Sequence, residues 1–78
     1  MKIKLRKKKL ATGKYSLYLD YYKGSELDEN GKQVHNREFE YLKEYLHINP
    51  KNASEKKENE ETLLRAEQIL SIRRAEYA

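Results

Sequence analysis

The most constraining feature of this chain is the strict alternation of side chains over residues 15–22. Successive side chains of a β-strand point to opposite faces of a sheet, so this alternation predicts a strand with two different faces. One face holds Tyr15, Leu17, Leu19 and Tyr21. The other face holds Ser16, Tyr18, Asp20 and Tyr22. Because aromatic residues favour a pleated, half-buried surface, we expect the first face to pack against a core and the second to stay outside it.

A first strand is predicted at about residues 2–9, where Ile3 and Leu5 alternate with basic residues. Gly13 follows it and can supply the positive φ that a tight hairpin connection needs. The two strands are therefore expected to pair as an antiparallel hairpin. A second, extended hairpin loop is predicted over residues 23–32, because this polar segment contains two glycines and an Asn-Gly pair.

A third strand is expected at about residues 33–46, again from alternation. Its aromatic members are predicted to face the core: Phe39 and Tyr41. Its charged members are predicted to lie on the mixed face: Glu38 and Glu40. Leu42 and Leu46 break the alternation near the end of the strand, which indicates a bulge or an early strand end.

The C-terminal part has a helical pattern, with a helix predicted over about residues 53–77. Asn52, followed three positions later by Glu55, is a capping signal for its start. A stripe on one side of this helix can cover the apolar face of the sheet: Leu63, Ala66, Ile69, Leu70, Arg73 and Tyr77. Arg73 is expected at the edge of the stripe, with its stem packed and its head exposed.

Together these elements predict an α+β fold, a three-stranded antiparallel sheet packed on one C-terminal helix. We expect a single domain over residues 1–78, with the sheet over about 2–46 and the helix over about 53–77. Hydrophobic residues make up 37% of the chain and charged residues 38%, which suffices for one thin core layer. Four tyrosines are expected to pack in that core: Tyr15, Tyr21, Tyr41 and Tyr77.

Composition excludes several classes of function. The chain has no cysteine, so disulfides, thiolate metal sites and cysteine nucleophiles are ruled out, and a reducing cytoplasm fits. His35 and His47 are isolated, and no third metal ligand is set by spacing. No catalytic motif, nucleotide fingerprint or membrane-spanning stretch is present. We therefore expect a non-enzymatic domain without metal, cofactor, small-molecule substrate or membrane contact.

The positive charge is concentrated at one end. Residues 1–15 carry seven basic side chains and no acid: Lys2, Lys4, Arg6, Lys7, Lys8, Lys9 and Lys14. Such a field suits a polyanion, because each neutralised phosphate releases counterions. The alternatives are a solvated lysine face or a localisation tag. If the first two strands pair, the mixed face brings Lys4, Arg6 and Lys8 beside Ser16, Tyr18 and Tyr22. That mixture suits nucleic acid.

Four segments, in order, carry a family resemblance: Leu5–Leu10, Gly13–Asp20, Phe39–Leu46 and Asn59–Arg74. Together the chain resembles the N-terminal arm-type DNA-binding domain of tyrosine recombinases (integrases) from Bacteroides-type mobile elements. The resemblance implies a fragment of a longer integrase, whose sheet docks in the major groove of double-stranded DNA at arm-type sites and supports integration and site-specific recombination. It also implies partner domains or subunits of the parent integrase.

Carried over by position, the resemblance implies contacts from the sheet to DNA by Lys4, Arg6, Lys8, Ser16 and Tyr18, with Lys14 near the backbone. Tyr22 joins these candidates from its place on the mixed face. Two departures stand out, a longer and more acidic loop over residues 24–33 and the two glutamates expected on the DNA face. The catalytic domain of a recombinase is absent from this chain, so Tyr77 is not a candidate nucleophile.

Two other classes of function remain open. In a protein-interaction module, Leu64 and Ile72, which point away from the helix stripe, would dock against another domain or subunit. In an RNA-binding sheet, unpaired bases would stack on Tyr18 and Tyr22.

Overall fold

The computed structural model describes residues 1–77. It has three strands and a helix in the order β1 (Lys2–Lys9), β2 (Lys14–Leu27), β3 (Gln33–His47) and α1 (Ala53–Glu76). The strands form one antiparallel sheet in the order β1-β2-β3. The predicted α+β fold, a three-stranded antiparallel sheet with one C-terminal helix, is confirmed.

The first hairpin forms as its glycine predicts. Gly13 has a φ of +82°, and the turn is closed by a 2.8 Å hydrogen bond from the Leu10 amide to the Lys14 carbonyl oxygen. β1 then pairs with the first half of β2, with Leu5 opposite Leu19. Leucines that lie directly opposite each other share a face of the sheet, so the apolar sides of both strands coincide.

The second hairpin departs from the prediction of an extended loop over residues 23–32. β2 continues to Leu27 and β3 begins at Gln33, so only a short turn separates them. Asp28 closes this turn, because its Oδ1 accepts hydrogen bonds from the amides of Asn30 and Lys32 at 2.9 and 2.8 Å. Cross-strand pairing satisfies the backbone of the polar segment, and its polar composition therefore does not prevent it from forming strands.

Two irregularities interrupt the pairing of β2 with β3, and the larger one lies near the end of β3. Between the pairs Ser16–Tyr45 and Tyr18–Tyr41, β3 contains two more residues than β2. Lys43 lies within this stretch and has a φ of +58°, a left-handed conformation that side chains seldom adopt. The bulge indicated by the sequence is therefore present, and it bends β3 where the strand meets the helix.

The faces of β3 are the reverse of the prediction. Glu40 lies opposite Leu19 and Glu38 opposite Tyr21, so both glutamates are on the helix side of the sheet. Phe39 and Tyr41 consequently lie on the side away from α1, and each is 54% exposed. Two contacts favour this orientation of β3. Leu42 of the same strand packs against the core, and Arg73 of α1 binds Glu40.

The core is one thin layer between the sheet and α1. Its buried apolar residues are Ile3, Leu17, Leu19, Tyr21, Leu46 and Ala66. Tyr15 is half-buried against this layer, as expected. Tyr77 is exposed, although its ring contacts that of Tyr21 at 5.6 Å, and Tyr41 lies outside the core altogether.

Helix α1 is fixed to the sheet at both ends. At its start, Asn52 Oδ1 accepts a 2.9 Å hydrogen bond from the Glu55 amide, which is the predicted cap. The side chain of Asn59 makes two hydrogen bonds to the backbone of His47 at the end of β3. Near its end, Arg74 donates from Nε and Nη2 to the carbonyl oxygen of Ile3 at 3.2 and 2.9 Å. These contacts close one side of the sheet and leave the other uncovered.

Candidate nucleic-acid interface

The side of the sheet opposite α1 is the open face. Strand register defines its members, because residues that lie opposite each other point the same way. β1 contributes Lys2, Lys4, Arg6 and Lys8, which lie opposite Tyr22, Asp20, Tyr18 and Ser16. β2 also contributes Lys14 at its start, and β3 contributes Arg37, Phe39, Tyr41 and Tyr45.

The register places all of the sequence-predicted site residues on this face: Lys4, Arg6, Lys8, Lys14, Ser16, Tyr18 and Tyr22. The lysines and Arg6 are exposed, whereas Ser16 is buried and presents little surface. Lys14 lies at the margin, in a depression that it shares with His47, Lys51 and Glu55. The face therefore has a basic half along β1 and a half rich in aromatic side chains along β3.

An ion-pair cluster lies at the middle of the open face. Asp20 Oδ2 accepts hydrogen bonds from Arg6 Nε at 2.7 Å and from Arg37 Nη1 at 2.6 Å. Asp20 is only 4% exposed, although it is on the open side of the sheet, because these two arginines cover it. Its other oxygen, Oδ1, accepts no hydrogen bond from the described residues. Two guanidinium groups are thus held side by side on one carboxylate oxygen.

Aromatic rings form the second half of the face. The ring of Tyr18 contacts Phe39 edge-on at 5.7 Å and Tyr41 at 5.3 Å. Arg37 lies over the ring of Tyr22, with its central guanidinium carbon 4.8 Å from the ring centroid. The hydroxyl of Tyr22 is also 3.2 Å from His35 Nδ1. Phe39 and Tyr41 are exposed, Tyr18 and Tyr22 are half-buried, and each ring is supported by a neighbour.

The glutamates expected on this face are engaged elsewhere. Glu40 accepts hydrogen bonds from Arg73 Nε and Nη2 at 3.1 and 3.0 Å, and Tyr21 donates its hydroxyl proton to the same carboxylate. Glu38 pairs with Lys23 at 2.6 Å. Where all three strands pair, Asp20 is thus the one carboxylate that the described residues place on the open face. The positive charge of this face is consequently larger than the sequence pattern indicates.

The Glu40 contacts change the pKa of both partners. The Arg73 hydrogen bonds, reinforced by that from Tyr21, hold the pKa of Glu40 below its usual value. Burial, together with the hydrogen bond to Glu40, raises the pKa of Tyr21 to about 12. Near neutral pH the carboxylate is therefore ionised and the phenol neutral, which is the state that joins α1 to β3.

Sequence reasoning missed Arg37, Phe39, Tyr41 and Tyr45 as members of this face. The available signal was the spacing of Leu42 and Leu46, which are four residues apart and both pack inward. In a strand, residues separated by an even number share a face, so these two leucines share a face with Glu38 and Glu40. Taking the leucines as the inward set, instead of Phe39 and Tyr41, gives the observed faces of β3. A basic partner for Glu40 in the helix stripe, Arg73, was also visible in the sequence.

Residues 3–77 match the family model described as the Arm DNA-binding domain. Because the match covers almost the whole chain, the chain belongs to the arm DNA-binding domain family. No curated protein and no solved structure gives a significant match. The family is that of a non-catalytic DNA-binding domain of integrase-type proteins, so double-stranded DNA is its partner. Within residues 1–77, no helix is long and apolar enough to cross a membrane, and no cluster of potential metal ligands is present.

Proposed function

We propose that this chain is the arm-type DNA-binding domain at the N-terminus of a longer tyrosine recombinase. In this proposal its open face binds the major groove at arm-type sites, in a sequence-specific way, and supports DNA integration and site-specific recombination. The supporting observation is the segregation of charge. The face combines exposed lysines on β1 with two arginines, while its one carboxylate is covered by those arginines.

The shape of the β1–β2 pair supports this placement. Neighbouring strands lie about 4.8 Å apart, and the major groove of B-DNA, about 12 Å wide, admits a two-stranded ribbon. β1 and β2 form such a ribbon over eight residues each, from Lys2–Tyr22 to Lys9–Tyr15. The ribbon carries the lysines on its outer strand and Tyr18 in its centre, so it presents charge and a ring together.

Each side chain on the face has a role that its chemistry supports. Lys4, Lys8 and Lys14 contact phosphates, which hold the sheet in register but carry no sequence information. Arg6, Tyr18 and Tyr22 supply hydrogen-bond donors toward the groove, whereas the buried Ser16 has little surface for a contact. Phe39 adds an apolar surface of the kind that contacts thymine methyl groups.

A binding titration with matched lysine variants tests this proposal. Lys4→Ala and Lys8→Ala each remove one exposed cation from the open face. Lys57→Ala removes the same charge from the polar start of α1 and is the control. Fluorescence anisotropy with labelled duplex DNA should show weaker binding for the first two variants and unchanged binding for the third. Equal losses in all three would contradict the assignment of the face.

A second candidate function is a protein-interaction surface on α1. Leu64 and Ile72 are 59% and 54% exposed on the helix, which supports a contact with another domain or subunit of the parent integrase. The two functions are compatible, because this surface and the open face belong to different elements. An RNA-binding sheet has less support, because one ring of its proposed stacking platform, Tyr22, is already covered by Arg37.

A further inference from the structure

The ion-pair cluster on the open face leaves a specific part of Arg6 unused. Arg6 binds Asp20 through Nε, and neither of its two terminal nitrogens makes a hydrogen bond to the described residues. The side chain is exposed. Its two terminal nitrogens therefore form a fork of two free donors, on a guanidinium group that Asp20 holds in place through Nε.

A fork of this kind matches one base edge in particular. In the major groove guanine presents two acceptors, O6 and N7, and a bidentate arginine is the commonest specific contact to them. A lysine can reach the same two acceptors, but its ammonium group is a point charge on a flexible stem and lacks the rigid planar fork of a guanidinium. The recognised chemistry is thus a guanine in duplex DNA.

Asp20 holds the Arg6 guanidinium group in place. Its Oδ2 holds Arg6 Nε and Arg37 Nη1 together, while Arg37 is itself laid on the ring of Tyr22. Both arginines bind Asp20, and Arg37 is also held by the ring of Tyr22. These contacts restrict the rotamers of Arg6 before DNA binds. Because less side-chain freedom is lost on binding, the contact becomes both stronger and more selective.

We infer that Arg6 is a specificity-determining residue that recognises guanine, and that Asp20 is the residue that positions it. This inference rests on the proposed function and deepens it. It separates two kinds of basic residue on the open face. Lys4 and Lys8 contribute affinity for any duplex, whereas Arg6 contributes discrimination between bases.

Substitution of Asp20 gives a signature that structural damage does not imitate. Asp20→Asn removes one negative charge from the DNA face, so binding to non-specific duplex should strengthen. At the same time Arg6 loses its charged partner, and the preference for guanine should fall. A partly unfolded variant would instead lose both properties.

The experiment is selection from a duplex pool of randomised sequence, carried out with the wild type and three variants. The wild type should enrich a motif that contains guanine. Arg6→Met, which keeps an unbranched stem but has no donor, and Asp20→Asn should lose that guanine, whereas Lys4→Ala should keep the motif at weaker affinity. Replacing the selected guanine by 7-deazaguanine, which lacks N7, should weaken wild-type binding at least about tenfold and should not further weaken binding by Arg6→Met.

The outcomes separate this inference from the proposed function. If the wild type shows no salt-dependent binding to the pool, the proposed function fails. If it binds but Arg6→Met retains the same guanine, or 7-deazaguanine has no effect, only the recognition of guanine by Arg6 fails. Retention of the full guanine preference by Asp20→Asn contradicts the positioning role. Should that variant fail to fold in a thermal melt, Arg6→Met, which changes an exposed side chain, decides the inference.

Discussion

Removal of one lysine from the open face should change the salt dependence of DNA binding by a calculable amount. Four lysines of this face are exposed and form no ion pair within residues 1–77: Lys2, Lys4, Lys8 and Lys14. Each neutralised phosphate contributes about −0.9 to the slope of log K against log salt concentration. If all four lysines contact phosphates, the wild-type slope is about −3.6, and binding weakens about 150-fold between about 0.05 and 0.2 M salt.

Lys4→Ala should reduce that slope to about −2.7, so that the same rise in salt weakens binding only about 40-fold. At about 0.1 M salt the variant should bind about eightfold more weakly than the wild type, since the missing contact no longer releases its counterion. Lys57→Ala, which leaves the open face unchanged, should keep both the slope and the affinity of the wild type.

The assay is fluorescence anisotropy of a labelled duplex at four or more salt concentrations, with the far-UV circular dichroism of each variant as a control of folding. A Lys4→Ala slope equal to that of the wild type would refute the phosphate contact. A Lys57→Ala slope reduced by the same amount as that of Lys4→Ala would refute the assignment of the contact to this face.

Four further predictions concern Tyr18, the core and the contacts of Glu40. Tyr18→Ala should weaken binding to the selected duplex while the salt slope stays unchanged, because the ring carries no charge; a changed slope in the same anisotropy assay would contradict this. Leu19→Ala empties the centre of the core, where Leu19 is fully buried, and should lower the free energy of unfolding by about 2–5 kcal/mol in urea denaturation. Glu40→Gln should destabilise the fold most above the usual glutamate pKa of 4.5 and progressively less in acid, because the lowered pKa of Glu40 gives stability that is lost as the pH falls. Urea titrations at neutral pH and at about pH 3 measure this difference. An equal loss of stability at both pH values would refute the prediction. At the alkaline end, the stability linked to Tyr21 is present below pH 10 and is lost as the pH rises through about 12.

The Leu19→Ala prediction can be compared with the total free energy of unfolding of a domain of this size. Domains of 78 residues are stable by about 4–12 kcal/mol. The loss of one central leucine therefore removes a large part of the total. A fully folded Leu19→Ala variant with unchanged stability would contradict the assignment of a single shared core.

The parts of the fold that local sequence determines were predictable. The alternation of residues 15–22 placed Leu17 and Leu19 in the core, and Gly13 marked the first turn. The start of α1 followed from Asn52, whose side chain caps the helix three residues along the chain. In each case the interacting residues are close in sequence, so the pattern contains the necessary information.

The orientation of β3 was not predictable by alternation alone. Alternation gives two sets of residues, and it does not say which set faces the core when one holds Phe39 and Tyr41 and the other holds Leu42 and Leu46. The bulge at Lys43 adds two residues and therefore leaves these two sets unchanged. The position of Glu40 depends on Arg73, which is 33 residues away in the chain. The predictions that Phe39 and Tyr41 face the core and that Glu38 and Glu40 lie on the DNA face are therefore wrong.

The extent of the second hairpin depends on pairing between strands. Polar residues over 23–32 favour a loop, yet β2 and β3 pair from Gly24–Asn36 to Leu27–Gln33. A one-residue bulge between Tyr22 and Gly24 restores the register that makes this pairing possible. Neither the bulge nor the pairing can be read from the composition of one segment.

The central claim is that the open face, and not the helix, binds DNA. Its most direct test is an NMR titration of the isotopically labelled domain with duplex DNA at low and at high salt. We predict salt-sensitive amide shifts along β1 and the first half of β2, around Arg6 and Tyr18, together with shifts at Phe39 on β3. Shifts confined to α1 around Leu64 and Ile72, or no shifts at all, would contradict the account.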